Sequence, residues 1–355
     1  MTELAKLLIE HIKNSGPISL AEYMGECLLH PKHGYYSTRD PFGADGDFTT
    51  APEISQMFGE LLGLCMAQTW LQQGSPNAFT LAEIGPGRGT LMADVLRATK
   101  GVAGFHTAAQ ITLIEASPAL QKIQREQLAD YDVTWLGDIS ETPKAPLYLL
   151  ANEFFDALPI HQYIMEDDGW RERLVGVADD ELVFGASAAA DLPPLEHRRK
   201  DCRTGDLVEV CGAASAIAGE IATRIAEHGG AAIIIDYGDW RSLGDTLQAL
   251  RNHEFDSPLA HPGEADITAH VDFEALAVSA VSHTPVSKMI PQGELLKRLG
   301  IDQRAEVLAQ GLEGAELENH MSTHRRLTEP TEMGTLFKAI AFYPNGQQPP
   351  PGFSQ

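Results

Sequence analysis

Three glycines spaced by two, Gly85, Gly87 and Gly89, constrain this chain more than any other feature. They follow a strand-forming run from Phe79 to Ala82 and the step Glu83-Ile84, and Leu91 to Arg97 then reads as a helix. Strand, glycine turn and helix in that order form the ligand-gripping corner of a doubly wound α/β domain, where a ligand meets a helix N-terminus. Glycine lets the backbone approach a ligand closely and take φ values that a Cβ disfavours. A dinucleotide fingerprint places its last two glycines three apart, which leaves room for a pyrophosphate. Here the spacing is two, and the carboxylate of Glu83 comes just before the first glycine. Such a carboxylate repels phosphate and suits a cationic cofactor. S-adenosylmethionine carries a sulfonium and an ammonium and no phosphate, and it is the expected ligand.

The remaining strands of an α/β sheet follow in order. Gln110 to Glu115 reads as a short buried strand ending in an acid, 26 residues beyond Gly89. That spacing fits the acid that receives ribose hydroxyls at the end of a second strand. Tyr131 to Trp135 reads as a third strand, closed by Gly137-Asp138-Ile139. Pro146 to Ala151 reads as a fourth, and it runs into Asn152-Glu153-Phe154-Phe155-Asp156-Ala157-Leu158-Pro159. Ligands of open α/β sheets bind beyond the carboxyl ends of the strands, so these acids, aromatics and amide are placed for chemistry. Ala231 to Asp236 supplies a fifth strand and Leu336 to Phe342 the last.

Three regions are expected. Residues 1–75 hold two helices and a long loop over 30–52, which reads as a lid pinned where Thr50-Ala51-Pro52-Glu53 opens a helix. Residues 76–343 form the α/β domain, with an antiparallel insertion at about 160–210 and a long loop at about 239–270. The tail 344–355, with its proline run, reads as disordered.

Fifty acids stand against 26 bases, a net charge of −24. Such a field repels nucleic-acid backbones and suits a cationic partner. The four cysteines form no CxxC pair and the histidines no ligand-spaced cluster, so no metal is expected. No apolar run is long enough to span a membrane. The first residues carry acids and lack the arginines of a transit peptide, so a cytoplasmic protein is expected.

Four stretches in order, Gly46 to Gln56, Glu83 to Gly89, Asn152 to Pro159 and Gly263 to Phe273, resemble the MidA-like methyltransferases. The likeness runs from about residue 5 to 343. It implies a class I, Rossmann-like fold with a mostly parallel seven-stranded sheet and S-adenosylmethionine held by Glu83, Gly85, Gly87, Glu115 and Asp138. Thr50, Pro52, Pro86, Gly89, Ala116, Gly137, Ile139 and Asn152 complete the expected cofactor site, with Gly137-Asp138 at the adenine edge. Mitochondrial members of that family are complex I assembly factors that dimethylate an arginine of a complex I subunit. The resemblance therefore implies a protein substrate with a cationic, arginine-bearing segment.

The residues are compatible with that acceptor. Guanidinium stays charged at any physiological pH, so an enzyme must orient and polarise it. A carboxylate that pairs bidentately fixes the planar fork and aims one nitrogen. Glu153 is the first candidate for this role and Asp156 the second. Two other readings stay open at this point. One is a cofactor-binding assembly chaperone without essential catalysis. The other is a nicotinamide oxidoreductase, which the glycine spacing disfavours.

Overall fold

The computed structural model describes residues 1–38 and 50–355. At its centre lies an eight-stranded sheet, numbered in chain order: β1 Phe79–Ile84, β2 Ala109–Ile114, β3 Val133–Leu136, β4 Leu147–Asn152, β5 Gly230–Asp239, β6 Val271–Asp272, β7 Ile290–Pro291 and β8 Phe337–Phe342. The order across the sheet is β7-β8-β5-β4-β1-β2-β3, and β6 pairs with β5. β1 to β5 run parallel, while β8 enters antiparallel beside β5. The two-residue β6 makes the eighth strand, one more than the seven expected.

All six residues of β1 and of β4 are buried. Strands covered by helices on both faces need apolar residues on both, which is why these read as continuous apolar runs. On one face Phe79, Leu81, Tyr148 and Leu150 join the core with helices Gln56–Gln72 and Thr90–Thr99. Ala82, Ile84, Leu149 and Ala151 face the opposite core, with helices Gly212–His228 and Phe273–Val281. Two glycines set the first helix pair close together: a Cβ on Gly59 would lie 2.6 Å from Asp94 Cβ, and one on Gly63 2.8 Å from Val95 Cα. The chain's crossovers diverge between β1 and β4, so a crevice opens at the ends of those two strands.

Two added sheets flank this core. The insertion is a five-stranded antiparallel unit of His161–Glu166, Gly169–Ala178, Glu181–Ala186, Leu207–Val210 and, from the N-terminal region, Ile18–Ser19. Ile18 pairs with Val175, which ties the first helices, Glu3–Ser15 and Leu20–Leu29, to the insertion. The stretch expected as a loop at 239–270 instead holds a three-stranded sheet, Gln248–Arg251, Glu254–Asp256 and Asp266–Thr268. These strands are three or four residues long and broken by turn formers, which hid their alternation. Tyr23 Oη donates to Pro258 O (2.6 Å) and Thr2 Oγ1 to Pro262 O (2.9 Å), so the N-terminal helices also dock on this sheet.

The tail is a correction. Expected to be disordered from its prolines, it packs: Phe353 is buried in the core that holds Leu295, and Lys288 N donates to Ser354 O. One aromatic anchor outweighs the proline-rich composition around it. Among the described residues no helix is long and apolar enough to cross a membrane.

Candidate active site

The glycine turn is where the fold expects it. Gly85, Gly87 and Gly89 have φ of 65°, 52° and 84°, values at which a Cβ is strained. A side chain on Gly85 would also meet Phe154 Cδ2 at 2.6 Å. Beyond this turn lies a cavity of about 370 Å³, walled by Gly85, Gly87, Glu115, Ala116, Gly137, Asp138 and Ile139. Gly25, Leu28, Leu29 and Tyr36 close its other side. The second N-terminal helix is therefore part of the cavity wall, a role its amphipathic pattern alone does not announce.

A recess of about 40 Å³ shares Gly85, Gly87 and Glu153 with the cavity, and adds Thr50, Pro52, Glu83, Pro86 and Asn152. Gly89 lines neither space and opens the helix Thr90–Thr99 instead. Glu83 is 3% exposed, and its Oε2 has no hydrogen-bond partner among the described residues. Burial holds its pKa well above the usual carboxylate range, and the charge of Glu115 adds to the rise. A buried carboxylate oxygen with no partner is costly unless a ligand completes it. The ammonium of S-adenosylmethionine fits that oxygen in chemistry and sign.

Glu115 is oriented rather than bare. Ser117 N donates to its Oε1 (2.7 Å) and Gln124 Nε2 to its Oε2 (3.1 Å). Burial raises its pKa, and these two bonds oppose the rise. Gln124 also donates to Gly87 O (2.8 Å), and its Oε1 accepts from Trp135 Nε1 (2.9 Å). One fully buried amide thus fixes the glycine turn, the acid after β2 and a residue of β3. Sequence reasoning missed Gln124, because it sits in an otherwise polar helix. Asp138 differs: it is exposed and caps the short turn at Ile139–Glu141 by accepting from Ser140 N (2.8 Å), and its pKa is lowered by the Ser140 hydroxyl first and then by this amide.

At the end of β4 the backbone is strained. Glu153 has φ of +50°, a region few residues other than glycine occupy. Its amide donates to Ile235 O of β5 (3.0 Å), which holds the twist. Ala51 N (2.9 Å) and Asn152 Nδ2 (3.0 Å) both donate to Glu153 Oε1. Burial raises the pKa of Glu153 to about 7; the Ala51 amide opposes this and the charge of Asp156 adds to it. Asp236 Oδ2, beneath the turn, accepts from the amides of Phe154 (3.2 Å), Phe155 (2.9 Å) and Asp156 (3.3 Å). Asp236 is fully buried, and burial with the charges of Asp156 and Glu153 pushes its pKa well up. It was read as the end of a fifth strand, and its three bonds depend on which strand lies alongside.

Glu153 also faces a second pocket, of about 550 Å³, with Asp156, Tyr237, Asp266 and Thr268. Asp156 is 7% exposed, and its buried Oδ1 has no hydrogen-bond partner among the described residues. Burial raises its pKa. Tyr36 Oη donates to Asp266 Oδ1 (2.9 Å), and Tyr237 Oη donates to Thr268 Oγ1 (2.5 Å). Arg326, on the helix Gly314–Thr328, lines the same pocket, and its charge draws the pKa of Glu153 down. Tyr36 lies in the stretch expected to form a lid, and it lines both spaces. Residues 39–49 of that lid, with Gly46 and Phe48, lie outside the described residues.

A parallel sheet that switches direction at a glycine turn, an unpaired buried carboxylate beside it and an acid after the second strand together define a class I, S-adenosylmethionine-dependent methyltransferase. Residues 61–291 match the model of a family described as S-adenosyl-L-methionine-dependent methyltransferases, and the chain belongs to that family. It is 38% identical to the mitochondrial protein arginine methyltransferase NDUFAF7 of Danio rerio, over 95% of this chain and 87% of that protein. The Homo sapiens protein of the same name is 36% identical, over 97% of this chain and 84% of that one. A Burkholderia thailandensis protein crystallised with S-adenosyl-homocysteine superposes with a TM-score of 0.83 at 29% identity, covering 96% and 91% of the two chains. The cofactor is S-adenosylmethionine, as the glycine spacing implied. The cytoplasmic expectation is overturned, since these relatives are named as mitochondrial. The expectation rested on the charge pattern of the first residues, which is a weaker guide to compartment than relatives matched over most of their length.

Proposed function

We propose that this enzyme methylates an arginine side chain of a protein, and that Glu153 receives the guanidinium. The observation that carries the reading is the position of Glu153 on the wall shared by the cofactor cavity and the second pocket. Arginine methylation is also the activity named for the relatives in fish and human. Whether the acceptor is a respiratory complex I subunit belongs to the same proposal and rests on the family resemblance.

The cofactor supplies an electrophilic methyl group on sulfur. The chain's own residues do the rest. Glu153 Oε1 is anchored by the Ala51 and Asn152 donors, so the carboxylate is oriented before an acceptor arrives. Asp156 presents a second carboxylate from the same turn, and Asp236 fixes that turn through three amides. A guanidinium paired to Glu153 has its fork held in plane, with one nitrogen directed at the cofactor. Each transfer leaves one proton to be removed from the acceptor nitrogen. A carboxylate with a pKa near 7 suits that task. Glu83 and Glu115, with Gly85 and Gly87, would hold the amino-acid and ribose parts of the cofactor, and Gly137, Asp138 and Ile139 the base.

The N-terminal region 1–75 serves in this proposal as the cover of the site, the domain 76–343 as its floor. The test is transfer of labelled methyl groups to a complex I subunit preparation, with arginine methylation read by mass spectrometry. Transfer by the wild type but not by Glu153→Gln supports the reading. Cofactor binding with no transfer to any protein would favour an assembly chaperone instead.

A further inference from the structure

The most exposed large apolar side chain in the described structure stands at the mouth of the second pocket. Phe255 is 79% exposed, on the short strand Glu254–Asp256. Its strand pairs with Gln248–Arg251 in a register that sets Phe255 opposite Leu250. Asn252 and His253 join the two strands with φ of 54° and 63°. Two successive positive φ values make the tight turn that matches strand twist, so the hairpin holds Phe255 out rigidly. Glu254–Asp256 is also the edge of its three-stranded sheet.

Phe255 and Leu250 share the pocket with Leu336, Met333 and Phe337 on the facing wall. Leu336 is itself 48% exposed. The result is an apolar rim around carboxylates, Glu153 and Asp156, in a chain of net charge −24. An exposed phenylalanine and an exposed leucine at the entrance of a polar pocket mark a binding surface, because leaving them in water is unfavourable. Glu153, Asp156 and Asp266 outnumber Arg326 in the pocket and select a cation, and the rim selects what lies beside that cation. An edge strand next to the opening suits an extended backbone.

Resting on the arginine reading above, we infer that Phe255 and its rim read a large apolar residue adjacent to the target arginine. The substrate is then an extended segment in which arginine has an aliphatic or aromatic neighbour. Glycine-flanked arginines fit the carboxylates but leave the rim uncovered.

The experiment compares two fluorescein-labelled peptides of equal length and charge, each with one arginine, flanked in one by leucine and in the other by glycine. Binding is read by fluorescence anisotropy with S-adenosylhomocysteine present, and transfer by mass spectrometry with S-adenosylmethionine. The wild type is expected to bind the leucine peptide about tenfold tighter, an aromatic contact's worth of discrimination. Phe255→Ala should reduce the ratio to within twofold, and Phe255→Leu should retain most of it. Equal binding of both peptides by the wild type, or an unchanged ratio in Phe255→Ala, overturns the inference while leaving arginine methylation intact. A Phe255-dependent preference without any transfer supports the docking surface and removes the arginine-methylation reading. Failure of both peptides to bind overturns both.

Discussion

The cofactor cavity and the second pocket share Glu153 and Tyr36 and are otherwise built in different ways. The cavity is assembled from the ends of consecutive parallel strands: Gly85 after β1, Glu115 after β2, Gly137 after β3 and Glu153 after β4. The second pocket draws Tyr36, Asp156, Tyr237, Asp266 and Arg326 from the N-terminal region, the sheet, the short hairpin unit and a C-terminal helix. In the first, topology brings the strand-end residues together, because parallel strands end on the same edge, and the second N-terminal helix only closes the far side. In the second, strand-end residues meet their partners only through the docking of added elements. The cofactor side is thus fixed by the sheet, whereas the side of the second pocket is open to variation by insertion.

The largest test of that contrast is at the glycine turn. Gly87 has φ of +52° and lines both the cavity and the recess. Gly87→Val puts a β-branched residue into the left-handed region and fills the space beside the ligand. Cofactor binding, followed by calorimetry, should fall below detection, while circular dichroism shows the sheet retained. Cofactor affinity within tenfold of wild type would mean the turn does not touch the ligand.

Next in size is the shared wall. Glu153→Gln keeps shape and removes charge, so methyl transfer should drop on the order of a hundredfold, as for a single electrostatic contact to a transition state. Cofactor affinity should stay near that of the wild type. In the wild type, kcat/KM should rise with pH through about 7 as Glu153 ionises, and the variant should lack that limb. If transfer survives in the variant, the two spaces do not meet chemically at this residue.

Glu115→Ala sharpens the donor side with a smaller effect. On its proposed role of bonding the ribose hydroxyls, at roughly 1.5–3 kcal/mol for each charge-assisted bond, loss of this carboxylate should weaken the cofactor at least about tenfold. Gln124 would lose one of its partners and keep Gly87 O and Trp135. Unchanged affinity would reduce Glu115 to a buried structural acid.

What could be read from the residues follows the same division. Gly85, Gly87, Glu115 and Glu153 were legible, since a turn conformation or a strand end assigns each a place without knowledge of the rest of the fold. Gln124 and Asp236 were not. One acts through a helix face meeting three other segments, and the other through three amides on a neighbouring strand's turn. The hairpin at 248–256 escaped because its strands are too short to show alternation, and Asn252-His253 is not the usual glycine-bearing turn. Phe353 escaped because a single anchor residue carries no periodicity.

The smallest expected effect separates the chemical role of Glu153 from its structural one. Its pKa in the folded protein is raised to about 7 by burial, above the ordinary glutamate value near 4.3. A carboxyl raised in this way favours folding in its neutral form. That contribution is complete below about pH 4 and is lost as pH rises toward about 7. Glu153→Gln stays neutral at every pH and escapes the loss. The melting temperature of the variant relative to wild type should therefore increase between pH 4.5 and pH 8, by on the order of 2–4 °C for each kcal/mol involved. The same substitution that removes activity should thus raise stability in the pH range where the enzyme works. That is the pattern of a strained, desolvated carboxylate held for chemistry rather than for folding. A melting-temperature difference that stays constant across this range would place Glu153 in water and remove the basis for its raised pKa.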